Sequence, residues 1–136
     1  MTDAPSKPIN FINPSELAPP PGYSHVAEIR SGRIVFIAGQ VALDRHGNLV
    51  GKGDLEAQAD QVFSNLATAL ASVGCSQRHI AKLTIFMRDA KQLQTYRKAR
   101  DRFLSGVTPP ASTLVEVSRL ALEDLLIEIE AIAVAP

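Results

Sequence analysis

The sequence predicts an α+β protein with one folded domain, in which two helices cover one face of a mixed sheet. Short apolar or alternating runs, typical of strands, flank two longer segments whose apolar residues recur at helical spacing. Their order is β-β-α-β-α-β-β, and right-handed crossovers place both helices of such an order on the same face. The length of 136 residues suits a single hydrophobic core.

A proline-rich arm over residues 1–22 is predicted ahead of the domain, which spans residues 23–136. Proline removes backbone donors, so the arm is expected to be irregular, although Phe11 and Ile12 leave room for a short strand. Ser31-Gly32 separates the first two predicted strands and indicates a tight hairpin between them. The predicted elements are strands at 25–30 and 33–42, a helix at 55–73, a strand at 80–88, a helix at 90–104, and strands at 112–120 and 126–134.

The helix at 55–73 has the clearest predicted ends. Asp54 precedes it as an N-cap residue, and Gly74 follows it as a residue that readily adopts the left-handed conformation. Gly106 is predicted to end the second helix in the same way. These signals place both helices between strands and support the predicted order.

The face of the sheet away from the helices is predicted to be covered by another copy of the chain. The strand at 33–42 is apolar on both faces, although two helices cover only one of them. Ile127 and Ile129 alternate towards the helices, so Glu128 and Glu130 are predicted to point the other way. A homo-oligomer would bury that face, and carboxylates there need a partner such as arginine, water or a ligand.

Composition argues against several classes of function. Lys plus Arg and Asp plus Glu number 14 each, whereas nucleic-acid-binding proteins usually carry a basic excess. No apolar segment is long enough to span a bilayer, and residues 1–8 lack the apolar core of a signal peptide, so a cytoplasmic protein without membrane contact is expected. His25, His46 and His79 are scattered and Cys75 is single, so neither a metal site nor a reactive thiol is predicted.

Several motifs resemble those of the RidA (reactive intermediate deaminase) family. The C-terminal signature is the longest, with PASTLVEVSRL at 110–120 and IEIEAIA at 127–133. Further matches are GYSH at 22–25, IAGQ at 37–40 and IAKLTIFMRD at 80–89. The resemblance extends over nearly the whole chain after the arm.

This resemblance implies a chorismate-mutase-like fold that assembles as a homotrimer, with a small-molecule site in each cleft between subunits. It also implies an enzyme without metal or cofactor that hydrolyses enamines and imines to a 2-oxo acid and ammonia. Glu128 aligns with the carboxylate that positions or activates water in the family. The substrate-binding positions carried over from the family are Tyr23, Gly39, Arg97, Ser112, Thr113 and Leu114.

Ser112 is the main departure from the family pattern. The archetype has arginine there, which holds a substrate carboxylate through two charge-assisted hydrogen bonds, whereas serine offers one neutral hydroxyl. Leu114 replaces a frequent cysteine but keeps its backbone N–H, and Ala38 replaces a usual serine. Arg97 stands where the archetype often has asparagine, and one hypothesis is that it partly restores the missing cation. The alternative is a solvated arginine on a charged helix face.

Three functions stay open on the sequence. The first is an imine or enamine deaminase with an altered range of substrates. The second is a trimer that binds small carbonyl or carboxylate metabolites without turnover. The third is an endoribonuclease, a label that some members of the family carry, and the absence of a basic excess or paired histidines makes it the weakest.

Overall fold

The computed structural model describes residues 7–136, so the first six residues of the predicted arm lie outside it. The strands are β1 (Ile9–Ile12), β2 (Val26–Ile29), β3 (Arg33–Gln40), β4 (Ile80–Met87), β5 (Ala111–Glu116) and β6 (Ile127–Ala135). The helices are α1 (Leu55–Ala71) and α2 (Leu93–Phe103), with short 3-10 turns at Gln77–His79 and Ala90–Gln92. The predicted order is therefore confirmed, with β1 added before it in the arm.

Four strands form a mixed sheet in the order β3-β6-β4-β5. β6 runs antiparallel to both β3 and β4, whereas β4 and β5 are parallel and are joined by a crossover that contains α2. Buried side chains of both helices, such as Leu66 and Tyr96, form one core with alternate residues of the sheet, such as Leu83 and Ile129. The predicted α+β class, with two helices on one face, is confirmed.

The predicted hairpin at Ser31-Gly32 is wrong. β2 pairs with β1 instead, and the two form a separate antiparallel sheet. Gly32 does turn the chain, with φ at +96°. However, Ile9 of β1 packs on Ala81 and Val134, so the β1–β2 ribbon lies over the end of the sheet face that the helices leave free. β1 thus forms the backbone hydrogen bonds with β2 that β3 would have formed in a hairpin.

The ends of the helices follow their capping residues. Asp54 Oδ1 accepts a hydrogen bond from Ala57 N at 3.1 Å, as an N-cap does. α1 ends at Ala71, two residues before the predicted end, and Gly74 then adopts φ of +75°. The second helix begins as a 3-10 turn after Asp89 rather than as a regular α-helix.

The sheet face opposite the helices carries exposed apolar side chains on β3. Phe36 is 78% exposed and Ile34 is 55% exposed on β3. We call this face the bare face. Contiguous apolar side chains on a protein surface are typical of an interaction site. Assembly with further copies stays a prediction for this face.

Candidate functional site

A β-bulge in β3 brings Gly39 to the bare face. Ile37 pairs with Ala131, and the register then shifts so that Gln40 pairs with Ile129. Strict alternation from Ile37 would turn residue 39 towards the helices. The extra residue of the bulge instead turns it towards Glu128.

The Glu128 carboxylate rests against the backbone of Gly39. A Cβ atom on residue 39 would lie 2.8 Å from Glu128 Cδ and 3.0 Å from Cγ, which is closer than ordinary packing permits. Glycine is therefore the residue that leaves room for this carboxylate. Glu128 also lies level with Phe86 of β4 on the bare face, as the alternation of β6 predicts.

The oxygens of Glu128 are available for an external partner. The side chain is half-buried, and it makes no hydrogen bond or ion pair with any other residue between 7 and 136. Glu130, two residues along the same face, is exposed and pairs in register with Thr84. A half-buried carboxylate in this condition can accept a hydrogen bond from water, a ligand or a residue of a second copy.

The side chains of β5 alternate between the two faces, as predicted. Ser112 pairs in register with Leu83, whose side chain belongs to the helix-covered core. Leu114 likewise packs against that core. Thr113 points to the bare face, where Lys82 Nζ donates a hydrogen bond to its Oγ1 at 2.6 Å. Consequently the side chains of Ser112 and Glu128 lie on opposite faces of the sheet.

β5 is an edge strand, and its outer edge carries the backbone N–H of Leu114. Val117 N donates to Met87 O on β4 at 2.8 Å, so the N–H groups of residues 117, 115 and 113 point towards β4. The N–H of Leu114 therefore points outwards. Ser24 N donates to Pro110 O at 2.9 Å near the start of this edge. A ligand or a second copy therefore has access to the backbone N–H of Leu114, which is present whether this position holds leucine or the family's frequent cysteine.

Tyr23 lies beside the start of β5. The next residue, Ser24, bridges to Ala111, and its hydroxyl donates to Pro109 O at 2.6 Å. The Tyr23 ring is half-buried and packs edge-on against His25, with 5.5 Å between ring centroids. The structure thus brings together two of the sequence-predicted positions, Tyr23 and the β5 edge.

Sequence reasoning did not assign two residues of α2 to the site: Tyr96, which lies next to Ser112, and Arg100, which lies next to Tyr96. Tyr96 is buried beside the Ser112 hydroxyl, and burial raises the pKa of Tyr96 well above its usual range against smaller lowering effects of Arg100 and Ser112. Arg100 is buried over the Tyr96 ring, with Cζ 5.9 Å from its centroid. The spacing of four residues was the available signal, because it places both side chains on one face of a helix.

Arg97, which the sequence singled out instead, is half-buried on the same helix. Within the described part of the chain it makes no hydrogen bond or ion pair. Its suggested role as a replacement cation stays a prediction.

Five of the seven predicted site residues fall into two groups within one copy, and Thr113 and Arg97 belong to neither. The Glu128 group comprises Glu128 and Gly39, and the β5-edge group comprises Tyr23, Ser112 and Leu114. Phe86 of β4 is level with both Glu128 and Val115, so Ser112 lies three residues along β5 and two strands across from Glu128. Strand geometry converts this to about 10 Å in each direction, or about 14 Å in total. A small substrate therefore cannot touch both Glu128 and Ser112 in one copy.

Other parts of the described chain offer no competing catalytic cluster. A cleft of about 450 Å³ is lined by Lys7, Ile9, Phe11, Arg78, His79 and Val107 among others, and it includes none of the predicted site residues. Among residues 7–136, no group of three or more His, Cys, Asp or Glu side chains is placed to hold a metal ion. Cys75 is buried, and burial raises the pKa of its thiol, which opposes a nucleophilic role. No helix in this range is long and apolar enough to cross a membrane.

Comparison with known proteins defines the family. Residues 14–135 match the family model described as Endoribonuclease L-PSP. A crystal structure of a protein of unknown function of the conserved Rid family, YyfB of Yersinia pestis, superposes with a TM-score of 0.89 and 38% identity. That match covers 94% of this chain and 99% of the Yersinia chain. This chain therefore belongs to the Endoribonuclease L-PSP (Rid) family, and the resemblance inferred from its motifs is confirmed.

Two relatives show the range of names within the family. A RutC family protein of Synechocystis is 35% identical over 120 residues, which cover 88% of this chain and 92% of the relative. The 2-iminobutanoate/2-iminopropanoate deaminase of Salmonella typhimurium is 34% identical over 122 residues, which cover 88% of this chain and 94% of the relative.

Proposed function

We propose that this protein hydrolyses imines and enamines derived from amino acids, releasing a 2-oxo acid and ammonia. The observation that carries the proposal is the half-buried Glu128 carboxylate, which rests on Gly39 with its oxygens free of partners within residues 7–136. A relative covered over nearly its full length bears the name of such a deaminase, which supports the same chemistry.

Imine hydrolysis requires one water molecule and a group that moves its protons. Glu128 accepts a proton from water while the water oxygen bonds to the carbon of the protonated imine, giving a carbinolamine. Glu128 then returns that proton to the amine nitrogen, and the C–N bond breaks to release ammonia. The hydroxyl proton passes to the Glu128 carboxylate as the C=O bond forms, and the departing ammonia then takes it up as ammonium. An enamine enters the same route once its carbon has taken up a proton.

The site is proposed to lie between copies of the chain. Glu128 and Ser112 are about 14 Å apart and their side chains lie on opposite faces within one copy, so one small substrate contacts both only if two copies contribute. Phe36 and Ile34 provide an apolar surface on the same face as Glu128. A homotrimer, as the family resemblance implies, closes three such sites.

Ser112 is proposed to alter the range of substrates. Its hydroxyl lies beside Tyr96 and replaces a guanidinium that would form two charge-assisted hydrogen bonds. Hydrogen bonds to charged groups contribute about 1.5–3 kcal/mol each, so losing one weakens the binding of a small 2-imino acid by roughly 10- to 100-fold. Substrates with larger or neutral side chains that make other contacts are then favoured relative to the smallest acids.

The test is an imine-hydrolysis assay on the assembled protein. An amino-acid oxidase generates 2-imino acids from a panel of amino acids in the presence of semicarbazide, and hydrolysis lowers the yield of semicarbazone. Sub-stoichiometric wild-type protein is expected to compete with semicarbazide for at least part of the panel. Glu128→Gln keeps the shape of the side chain but removes the base, and its rate is expected to fall by about 100-fold or more. No acceleration by the wild-type protein across the panel would contradict the proposal.

A trimer that binds metabolites without turnover is the second candidate, and the neutral Ser112 hydroxyl is the observation that favours it. In that case 2-oxo acids bind to the wild-type protein while the assay shows no hydrolysis. Cleavage of RNA is a weaker third candidate, because the zero net charge offers no general attraction for phosphates.

A further inference from the structure

Arg100 is a charged side chain held in the protein interior with an incomplete set of partners. It is only 8% exposed, and its Nε and Nη2 both lie 3.0 Å from the same oxygen, Oδ1 of Asp101. Nη1 has no hydrogen-bond partner among residues 7–136. A guanidinium carries five N–H donors, and buried charges are normally paired more completely.

The position of this guanidinium is fixed from two sides. A Cβ atom on residue 22 would lie 2.6 Å from Arg100 Cζ, so Gly22 is in direct contact with the cation. Gly22 also has φ of +86°, which favours glycine there for a second reason. On the opposite side the guanidinium lies over the Tyr96 ring. Because Tyr23 follows Gly22 directly, the cation is held at the β5-edge group.

Tyr96 adds a second incompletely paired donor at the same place. Its hydroxyl oxygen is fully buried and has no hydrogen bond of good geometry within the described chain. The Ser112 hydroxyl is its polar neighbour. A buried hydroxyl without a partner is costly, by about 1–3 kcal/mol, so the position of Tyr96 between Ser112 and Arg100 serves a purpose other than its own hydrogen bonding.

We infer that Arg100, held in place by the Tyr96 ring, forms together with Ser112 an anion-binding subsite at the start of β5 that takes the carboxylate of a 2-imino or 2-oxo acid. The identity of the acid rests on the proposed function, whereas anion binding rests on the donors themselves. A carboxylate offers two oxygens to the planar donors of a guanidinium. Asp101, whose side chain is 67% exposed, can turn towards solvent, and the ligand carboxylate then replaces its contacts with Nε and Nη2 of Arg100.

The experiment measures binding of 2-oxobutanoate by titration calorimetry, so that it does not depend on turnover. Arg100→Gln is expected to weaken binding at least 10-fold, whereas Lys98→Gln, which removes an exposed positive charge from the same helix, is expected to change it less than about 3-fold. The methyl ester of 2-oxobutanoate, which lacks the charge, is expected to bind both variants and the wild type alike. Circular dichroism and the oligomeric state of each variant serve as controls for folding.

Asp101→Asn provides a second test, which keeps the size of an exposed side chain and removes only its charge. It removes the charge that competes with the ligand from an exposed position, so 2-oxobutanoate is expected to bind several-fold more tightly. Unchanged affinity in Arg100→Gln, an equal loss in Lys98→Gln, weaker binding in Asp101→Asn, or no saturable binding by the wild-type protein would each overturn the inference.

The outcomes also separate this inference from the proposed function. If the wild-type protein binds 2-oxobutanoate through Arg100 but hydrolyses no imine, the subsite stands and the proposed hydrolysis fails. If imines are hydrolysed and Arg100→Gln leaves KM unchanged, the hydrolysis stands and the subsite fails. Where both hold, Arg100→Gln raises KM for 2-imino acids much more than it lowers kcat.

Discussion

Replacing Gly39 with alanine tests whether the position of the Glu128 carboxylate matters for hydrolysis. The new Cβ atom would lie 2.8 Å from Glu128 Cδ, whereas carbon atoms pack at about 3.5–4.0 Å. The carboxylate must therefore shift by about 1 Å, and a misplacement of that size costs about 100-fold in rate. The fold should tolerate the change, because Gly39 is outside the left-handed region and the clashing atoms belong to a flexible side chain.

The assay compares kcat/KM for wild type, Gly39→Ala, Glu128→Gln and the double variant on the best 2-imino acid of the panel. If alanine acts only by displacing the carboxylate, it should lower kcat/KM about 100-fold in the wild-type background. In the Glu128→Gln background the same substitution should change it much less, because the base is already lost. Stability should stay within about 1 kcal/mol of wild type, since alanine also restricts the unfolded chain.

Two results would refute this reasoning. Wild-type kcat/KM in Gly39→Ala would show that the contact has no bearing on the reaction. An equal loss in both backgrounds would show that residue 39 acts independently of Glu128, for example by blocking the substrate itself.

Three further predictions concern assembly, pH and stability. Phe36→Asp should break the proposed homotrimer into monomers, because it puts a charge on the exposed bare face, whereas the circular dichroism spectrum should stay unchanged. A variant with the same mass as wild type in light scattering would contradict this prediction. Tyr96 ionises near pH 10 in an unfolded chain, and burial raises its pKa in the folded chain. Its contribution to the free energy of unfolding is therefore complete below about pH 10 and falls by about 1.4 kcal/mol per pH unit above it. Tyr96→Phe should flatten that alkaline decline in denaturant titrations, and an unchanged slope would show that another group causes it. Asp54→Ala should lower the free energy of unfolding by about 1 kcal/mol in urea titrations through loss of the bond to Ala57 N, whereas no change would mean that the cap contributes nothing.

The sequence was sufficient for the elements that local patterns control. The apolar spacing of α1, its cap at Asp54 and the alternation of β5 and β6 are properties of short segments, and the structure confirms them. The hairpin at Ser31-Gly32 failed because strand pairing is not a local property. A turn signal indicates that the chain reverses, but it does not indicate which strand the reversed chain pairs with. Here β2 pairs with β1 instead of β3.

The candidate site was predictable in part for the same reason. Alternation along β6 placed Glu128 on the face away from the helices, and the family motifs pointed to Gly39 and the start of β5. The bulge that joins Gly39 to Glu128 had no local signal, because alternation alone places residue 39 on the other face. Arg100 was overlooked because its neighbours on α2 form a charged run that is usually solvated. Its burial depends on Gly22, which is distant in sequence.

The size of the side chain at position 112 is limited by the residues of α2 that it faces. The side chain of residue 112 points towards the helices, into space that the Tyr96 ring and its hydroxyl occupy. A small residue at 112 is the one that this space admits, since overpacking a core by several atoms costs about 1–3 kcal/mol. An arginine at position 112 would therefore have to displace the Tyr96 ring. In the anion-binding subsite inferred above, Arg100, one turn beyond Tyr96 on α2, supplies the positive charge that serine at position 112 lacks.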